Sequence, residues 1–261
     1  MLQVSGLAKR YGTEDSGHLA LRDVGFDVNE GEIVSVVGPS GCGKTTLLKC
    51  VSGLMEPTSG DVTLQGAPVQ GPPEGMAIVF QDYSRSLFPW LTVRENVRFP
   101  LRGKSLGKAE EARLVDEAIQ AVGLTDAAGR RPYELSGGMQ QRTAIARALA
   151  YRPKIMLMDE PFASVDAQTR EDLEDLILAV RERFAMTVLL VTHDIDEATY
   201  ISDRVVVLTP SPTEVRTVVD VDLPPQRSHL ETKALPEFTD VRTRIYREVK
   251  STDAEPTHHA T

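Results

Sequence analysis

The run Gly38-Pro39-Ser40-Gly41-Cys42-Gly43-Lys44-Thr45 narrows the folds open to this chain more than any other feature. It matches G-x-x-x-x-G-K-[ST], and Thr46 extends it. An apolar stretch, Ile33-Val34-Ser35-Val36-Val37, precedes it and reads as a buried strand. A helix from about Lys44 to Gly53 follows. Glycines let the backbone wrap tightly enough for several N–H groups to face one phosphate. The helix N-terminus adds a dipole of the right sign. In that frame Lys44 reaches the β- and γ-phosphates, and the Thr45 hydroxyl ligates Mg²⁺. The alternative is a chance Gly-rich turn. With glycine near 7% of residues, such a match arises in about one chain per hundred of this length. The flanking strand and helix favour the phosphate loop.

Alternation of short apolar runs with amphipathic helices predicts an α/β fold. Further strands are expected at Met76–Phe80, Ile155–Met158, Val188–Val191 and Val205–Leu208. A helix is expected over 108–122, stopped at Gly123, and another from Ser136 to about Ala150. A third starts at Asp166, an N-cap, and carries Leu173, Leu176, Ile177, Val180 and Phe184 on one face. Residues 85–150 read as a helical insert in the α/β core. From Thr209 onward, Pro210, Pro212, Pro224, Pro225 and Pro236 predict broken regularity, and Ser251–Thr261 a disordered end.

Ile155-Met156-Leu157-Met158 ends in Asp159 and Glu160. A carboxylate at a strand end suits Mg²⁺, usually through water. Glu160, one step on, points elsewhere and is placed to polarise an attacking water. In isolation an exposed acidic turn would be the better reading; beside a phosphate loop the catalytic one is.

Upstream lies Leu135-Ser136-Gly137-Gly138-Met139-Gln140-Gln141-Arg142. Here the chain resembles the ATP-binding-cassette ATPases, whose signature is LSGGQ. The order of motifs also fits: phosphate loop, Gln81 after a strand, signature, acidic strand, Ser164-Val165-Asp166, then His193. The resemblance spans about residues 2–222, leaving 223–261 as a short tail. Met139 replaces the usual Gln and Val165 the common Leu, and neither change removes a phosphate-contacting group. The resemblance implies a P-loop NTPase core of the RecA-like kind: a mostly parallel sheet, an N-terminal antiparallel β part and an inserted helical subdomain. It implies ATP and Mg²⁺ as ligands.

The signature has its own physical reading. Ser136, Gly137 and Gly138 open a helix and offer N–H donors to an anion. The chain already has a complete cradle at 38–45, so a second anion site with no lysine makes sense if it closes over a nucleotide held by another subunit. The family's arrangement is two ATP molecules sandwiched in a head-to-tail homodimer. The bland alternative is that Ser136 is only an N-cap, worth about 1 kcal/mol. Other roles carry over from the resemblance. Tyr11 would stack on adenine, unless it is a core tyrosine. Gln81 would touch Mg²⁺ and the attacking water, unless it is an ordinary loop residue. Asp166 would cross the dimer interface, an N-cap role being compatible. His193, after the strand at Val188–Val191, would hydrogen-bond the γ-phosphate.

Cys42 reads as a small filler in the loop, since redox sensing would need a thiolate. His258 and His259 read as part of a solvated tail, though a pair of histidines could bind a metal. The formal net charge of −9 argues against nucleic acid as a partner. No apolar run approaches the roughly 20 residues that span a bilayer, and Met1–Gly12 lacks a signal-peptide core. The expected location is cytoplasmic, peripheral on the inner face of the membrane.

The segment Tyr83–Val93 is apolar and aromatic, holds Trp90, and suits a protein contact. In the family this region, about 81–97 here, faces the membrane permease. Residues 81–97 and the tail from Asp222-Leu223-Pro224-Pro225 to Tyr246 are similar to the nitrate/sulfonate/taurine importer branch, in which a solute-binding protein and the permease choose the cargo. The competing readings are a soluble cassette ATPase in repair or translation, a non-hydrolysing nucleotide-gated module, and a P-loop kinase or GTPase. The last has no use for the signature.

Overall fold

The computed structural model describes residues 1–13, 17–82 and 86–251. The expectations for Tyr83, Ser84, Arg85, His258, His259 and the end of the tail lie outside them. Along the chain the strands are β1 Leu2–Tyr11, β2 His18–Val28, β3 Ile33–Val37, β4 Ser59–Leu64, β5 Ala67–Pro68, β6 Met76–Val79, β7 Ile155–Asp159, β8 Thr187–Val191, β9 Arg204–Leu208 and β10 Thr213–Asp220. The helices are α1 Lys44–Val51, α2 Val93–Arg98, α3 Lys108–Ala121, α4 Gly137–Ala150, α5 Ala167–Phe184, α6 Ile195–Ile201, α7 His229–Thr232 and α8 Pro236–Lys250.

The chain divides into two compact units, Met1–Pro73 with Leu189–Thr261, and Glu74–Val188. In the first, the strands run β5-β4-β1-β2-β10-β9-β3, and then the Leu189–Val191 part of β8. β1 pairs antiparallel with both β2 and β4. β3 pairs parallel with β9, from Val34 opposite Arg204 to Val37 opposite Val207. All five residues of β3 are buried, as are Val205 to Leu208 of β9. Strands covered on both faces read as unbroken apolar runs. Parallel pairing puts the C-terminal end of β3, where the phosphate loop begins, at the edge where ligands of open α/β sheets sit.

An ion pair braces the start of β3 and β9. Arg204 grips Glu32 with two guanidinium nitrogens and reaches Asp27 at 3.2 Å. Burial pushes the Glu32 carboxyl up, but the Arg204 guanidinium and the Asn29 N–H outweigh it and hold the pKa below the usual carboxylate value.

In the second unit β6 and β7 pair parallel, Met76 opposite Ile155 to Val79 opposite Met158. β7 is buried throughout. α2, α3 and α4 lie between them in sequence. α2 opens with a capping box, Thr92 and Glu95 each serving the other's backbone N–H. α3 ends at Ala121, and Gly123 takes the left-handed φ of 69°. The tail differs from expectation. β10 and the fifteen-residue α8 form where broken structure was expected. Pro236 occupies the first turn of α8, where a missing N–H costs nothing. α8 docks through Phe238 and Ile245, both buried. Among the described residues, no helix is long and apolar enough to cross a membrane.

Candidate nucleotide site

In the first unit the chain leaves β3 at Val37 and turns through Gly38–Gly43 into α1. Gly43, at the N-cap, has φ 102°, and a Cβ there would lie 3.3 Å from Leu21 Cδ2. Only glycine takes this turn without strain. No side chain caps α1, so its dipole end is presented by bare backbone. Lys44 is buried, and its Nζ donates to Gly38 O at 2.9 Å and Pro39 O at 3.1 Å. The ammonium is thus held over its own loop. Pro39 is half-buried; Ser40, Gly41 and Thr45 are exposed at the loop's outer side.

Cys42 is buried, and burial pushes its thiol pKa up against the pull of Lys44. It fills space, as read from the sequence, and the same burial effect raises Cys50. Tyr11 is 41% exposed, which removes the core-tyrosine alternative. Its hydroxyl lies 3.1 Å from Thr46 Oγ1 and donates to Met55 Sδ at 3.4 Å. The ring therefore stands beside the first turn of α1, with the Lys9 ammonium 5.9 Å from its centroid. His193 is exposed in the loop after β8. Thr192 N donates to Val36 O at 3.1 Å, which ties this loop to the strand feeding the phosphate loop.

The second unit brings together Gln81, Asp159 and Glu160. Asp159 is buried at the end of β7. Glu160 follows with φ 44°, a left-handed conformation that costs a non-glycine residue about 1 kcal/mol or more. Gln81 Nε2 donates to Glu160 Oε2 at 3.2 Å. That contact joins residues 79 apart in sequence and orients the carboxylate.

The same unit holds the signature. Ser136 caps α4, its hydroxyl accepting from Met139 N at 3.3 Å. Leu135 is buried while Ser136 and Gly137 are exposed. Gln140 Nε2 donates to Pro132 O at 3.0 Å and Leu135 O at 3.3 Å, pinning the approach to the helix. Asp166 caps α5 as expected, accepting from Thr169 N at 3.0 Å and from its hydroxyl at 2.7 Å. These bonds hold its carboxyl below the usual aspartate range. A Cβ at Gly138 would lie 2.5 Å from Thr169 Cγ2, so the signature helix and the Asp166 turn touch. Sequence reasoning had not joined these two motifs.

A buried strand entering a glycine turn with an inward lysine, and a second buried strand ending in two carboxylates, define a P-loop nucleotide hydrolase. The chain belongs to the ABC transporter family, whose profile matches residues 21–163, and it is an ATPase of that family. It is 47% identical over 232 residues to the uncharacterized ABC transporter ATP-binding protein MJ0412 of Methanocaldococcus jannaschii, covering 88% of this chain and 86% of that one. It is 42% identical over 231 residues to the nitrate import ATP-binding protein NrtC of Synechococcus elongatus, covering 87% of this chain but 35% of NrtC. Among solved structures, a dimeric post-hydrolysis state of the ATP-binding cassette MJ0796 bound to ADP and Pi superposes with TM-score 0.72 at 33% identity, over 85% of this chain and 99% of that one.

Proposed function

We propose that this chain is the ATP-hydrolysing subunit of a membrane importer for nitrate, a sulfonate, taurine or a similar small solute, working as a head-to-tail homodimer. Residues 1–222 form the cassette, with a helical insert at about 85–150, and 223–261 are an appendage. The observation that carries the hydrolytic reading is Glu160, strained just past β7 and oriented by Gln81. A hydrolase needs a carboxylate aimed at water and held there; an inert nucleotide clamp does not. The similarity to NrtC and the partner-facing surface below support import.

In this reading Tyr11 stacks on adenine, and the backbone of Gly38–Thr46 with Lys44 holds the phosphates. Thr45 of the first unit, and Gln81 and Asp159 of the second, each carry a hard oxygen donor of the kind Mg²⁺ takes and would each offer it to the ion. When bound, the ion would neutralise the charge that builds on the phosphates during transfer. Glu160 takes a proton from water as the water oxygen attacks the γ-phosphorus, the bond from that phosphorus to the β-phosphate oxygen breaks to release ADP, and His193 donates a hydrogen bond to the γ-phosphate. Leu135–Gln140 of the partner copy closes the site, and Asp166 lies at the same interface. ATP binds the closed dimer better than the open one, and that difference is what shifts the equilibrium.

The permease would dock on the second unit. A groove of about 370 Å³ is lined there by Ile78, Phe88, Phe99, Arg147 and Tyr151. Trp90, 66% exposed, lies tilted against Phe88 with ring centroids 5.5 Å apart. Exposed aromatic groups beside an apolar groove are the ordinary material of a protein contact.

The test is Glu160→Gln, which keeps size and loses the base. It should bind Mg-ATP normally and turn over at least ~100-fold slower. Turnover within threefold of the parent in a phosphate-release assay would move the base elsewhere.

A further inference from the structure

A cavity of about 510 Å³ in the first unit is bounded by His193, Asp194 and Asp196 on one side, and by Arg242, Thr243 and Tyr246 of α8 on the other. It exposes how α6, which begins two residues after His193, is held. The near end is tied to the loop. The Thr192 hydroxyl accepts from Asp194 N at 2.9 Å, and Asp194 Oδ1 accepts from Asp196 N at 2.9 Å and Glu197 N at 3.2 Å. From inside the cassette β3 packs on it, and the Ser35 hydroxyl bonds Ser202 at its C-cap; further holds on both ends come from beyond residue 222. Arg242 of α8 forms an ion pair with Asp196 in the first turn. Arg227 donates to Tyr200 O and, at 2.9 Å, to Ser202 O, covering carbonyls at the far end. The His229 ring stacks on Tyr200 at 4.0 Å, and Lys233 stands 5.3 Å from the same ring.

A helix of seven residues has too few internal bonds to fix its own position, so its neighbours decide it. Arginines at its two ends are suited to this: Asp196 offers a carboxylate in the first turn, and the last carbonyls carry the negative end of the dipole. α8 is itself anchored by buried Phe238 and Ile245 and by Arg216 to Glu248 at 2.8 Å.

We propose that residues 227–246 form a clamp on α6 that sets the reach of His193, with Arg227 and Arg242 as positioning residues for hydrolysis. This rests on the reading that His193 addresses the γ-phosphate. It gives the appendage a task in the ATPase cycle itself. A displacement of about 1 Å at such a contact costs up to about a hundredfold in rate. A partial loosening should cost less.

The experiment compares Arg242→Ala, Arg242→Lys, His193→Ala and the double variant in the full chain. Arg242 is half exposed, so its removal leaves the fold intact, and circular dichroism checks this. Arg242→Ala should lower kcat about fivefold to tenfold with KM for ATP unchanged, and Arg242→Lys should recover most of it. In the His193→Ala background, Arg242→Ala should cause no further loss, because the group it positions is gone. Unchanged kcat for Arg242→Ala beside a His193→Ala that is strongly slowed but still measurable would sink the clamp and leave the reading of His193 standing. An equal loss in both backgrounds would also sink it. Full turnover by His193→Ala alone would bring down that reading and the clamp together.

Discussion

Two helices of this molecule begin in ways suited to an anion, and they begin differently. α1 opens from Gly43 with no side-chain cap and carries Lys44 at its first position. α4 opens from Ser136, whose hydroxyl already accepts from Met139 N, and it has no basic residue in its first turn. The first is a complete phosphate cradle: bare donors, a dipole end and a cation. The second has donors and a dipole end alone, with its glycine start exposed. A helix terminus with half a site is weak by itself and becomes useful when another surface delivers the phosphate already bound. Under the proposed function the contrast sets an order of events, in which the nucleotide would load on α1 and the α4 terminus of a second copy would close over it.

The largest effect expected is at the complete cradle. Lys44→Ala removes the cation and its bonds to Gly38 O and Pro39 O. Nucleotide affinity of the isolated chain should fall about a hundredfold, roughly 3 kcal/mol, measured by titration calorimetry. An affinity within threefold of the parent would show that α1 does not act as the primary site.

Ser136→Arg addresses the half site. It should leave ATP binding to the isolated chain unchanged while abolishing ATP-dependent pairing, read by sedimentation in the slow Glu160→Gln background. Ser136→Ala is the control for capping alone, which costs about 1 kcal/mol of helix stability. Loss of nucleotide binding by the single chain in Ser136→Arg would mean the two termini serve one site within one copy, and the contrast would fail.

The same contrast explains what could be read from the sequence. Both termini were legible because local chemistry writes them: Gly43 for a turn, Ser136 and Asp166 for caps. β3, β7, β8 and β9 announced themselves as unbroken apolar runs because the sheet buries both faces. β1, β2 and β10 alternate or mix buried and exposed positions, and they did not stand out. Of the tail's prolines, Pro210, Pro212, Pro224 and Pro225 lie outside helices and strands as expected, whereas Pro236 starts α8 instead of breaking it. Contacts between distant residues left no local trace. Gln81 on Glu160, Gly138 against Thr169, and Arg227 on the end of α6 all depend on where the chain returns to. Charged residues of a tail look solvated until a partner's carbonyl or carboxylate is placed beside them.

The smallest effect, and the sharpest on the contrast, is at Gly138. Its added Cβ would meet Thr169 Cγ2 at 2.5 Å, and Thr169 is held by two bonds to Asp166. Thr169 cannot step aside without pulling on the Asp166 cap, so Gly138→Ala should move signature and cap together. Overpacking of this kind costs about 1–3 kcal/mol, and part of it should appear as pairing about threefold to tenfold weaker, with nucleotide binding to the single chain intact. Thr169→Ser, which removes the obstructing methyl and keeps the hydroxyl, should restore pairing in the Gly138→Ala background. If the double variant pairs no better than the single one, the methyl contact is not what links the two motifs, and the half site would consist of the α4 terminus without the Asp166 turn.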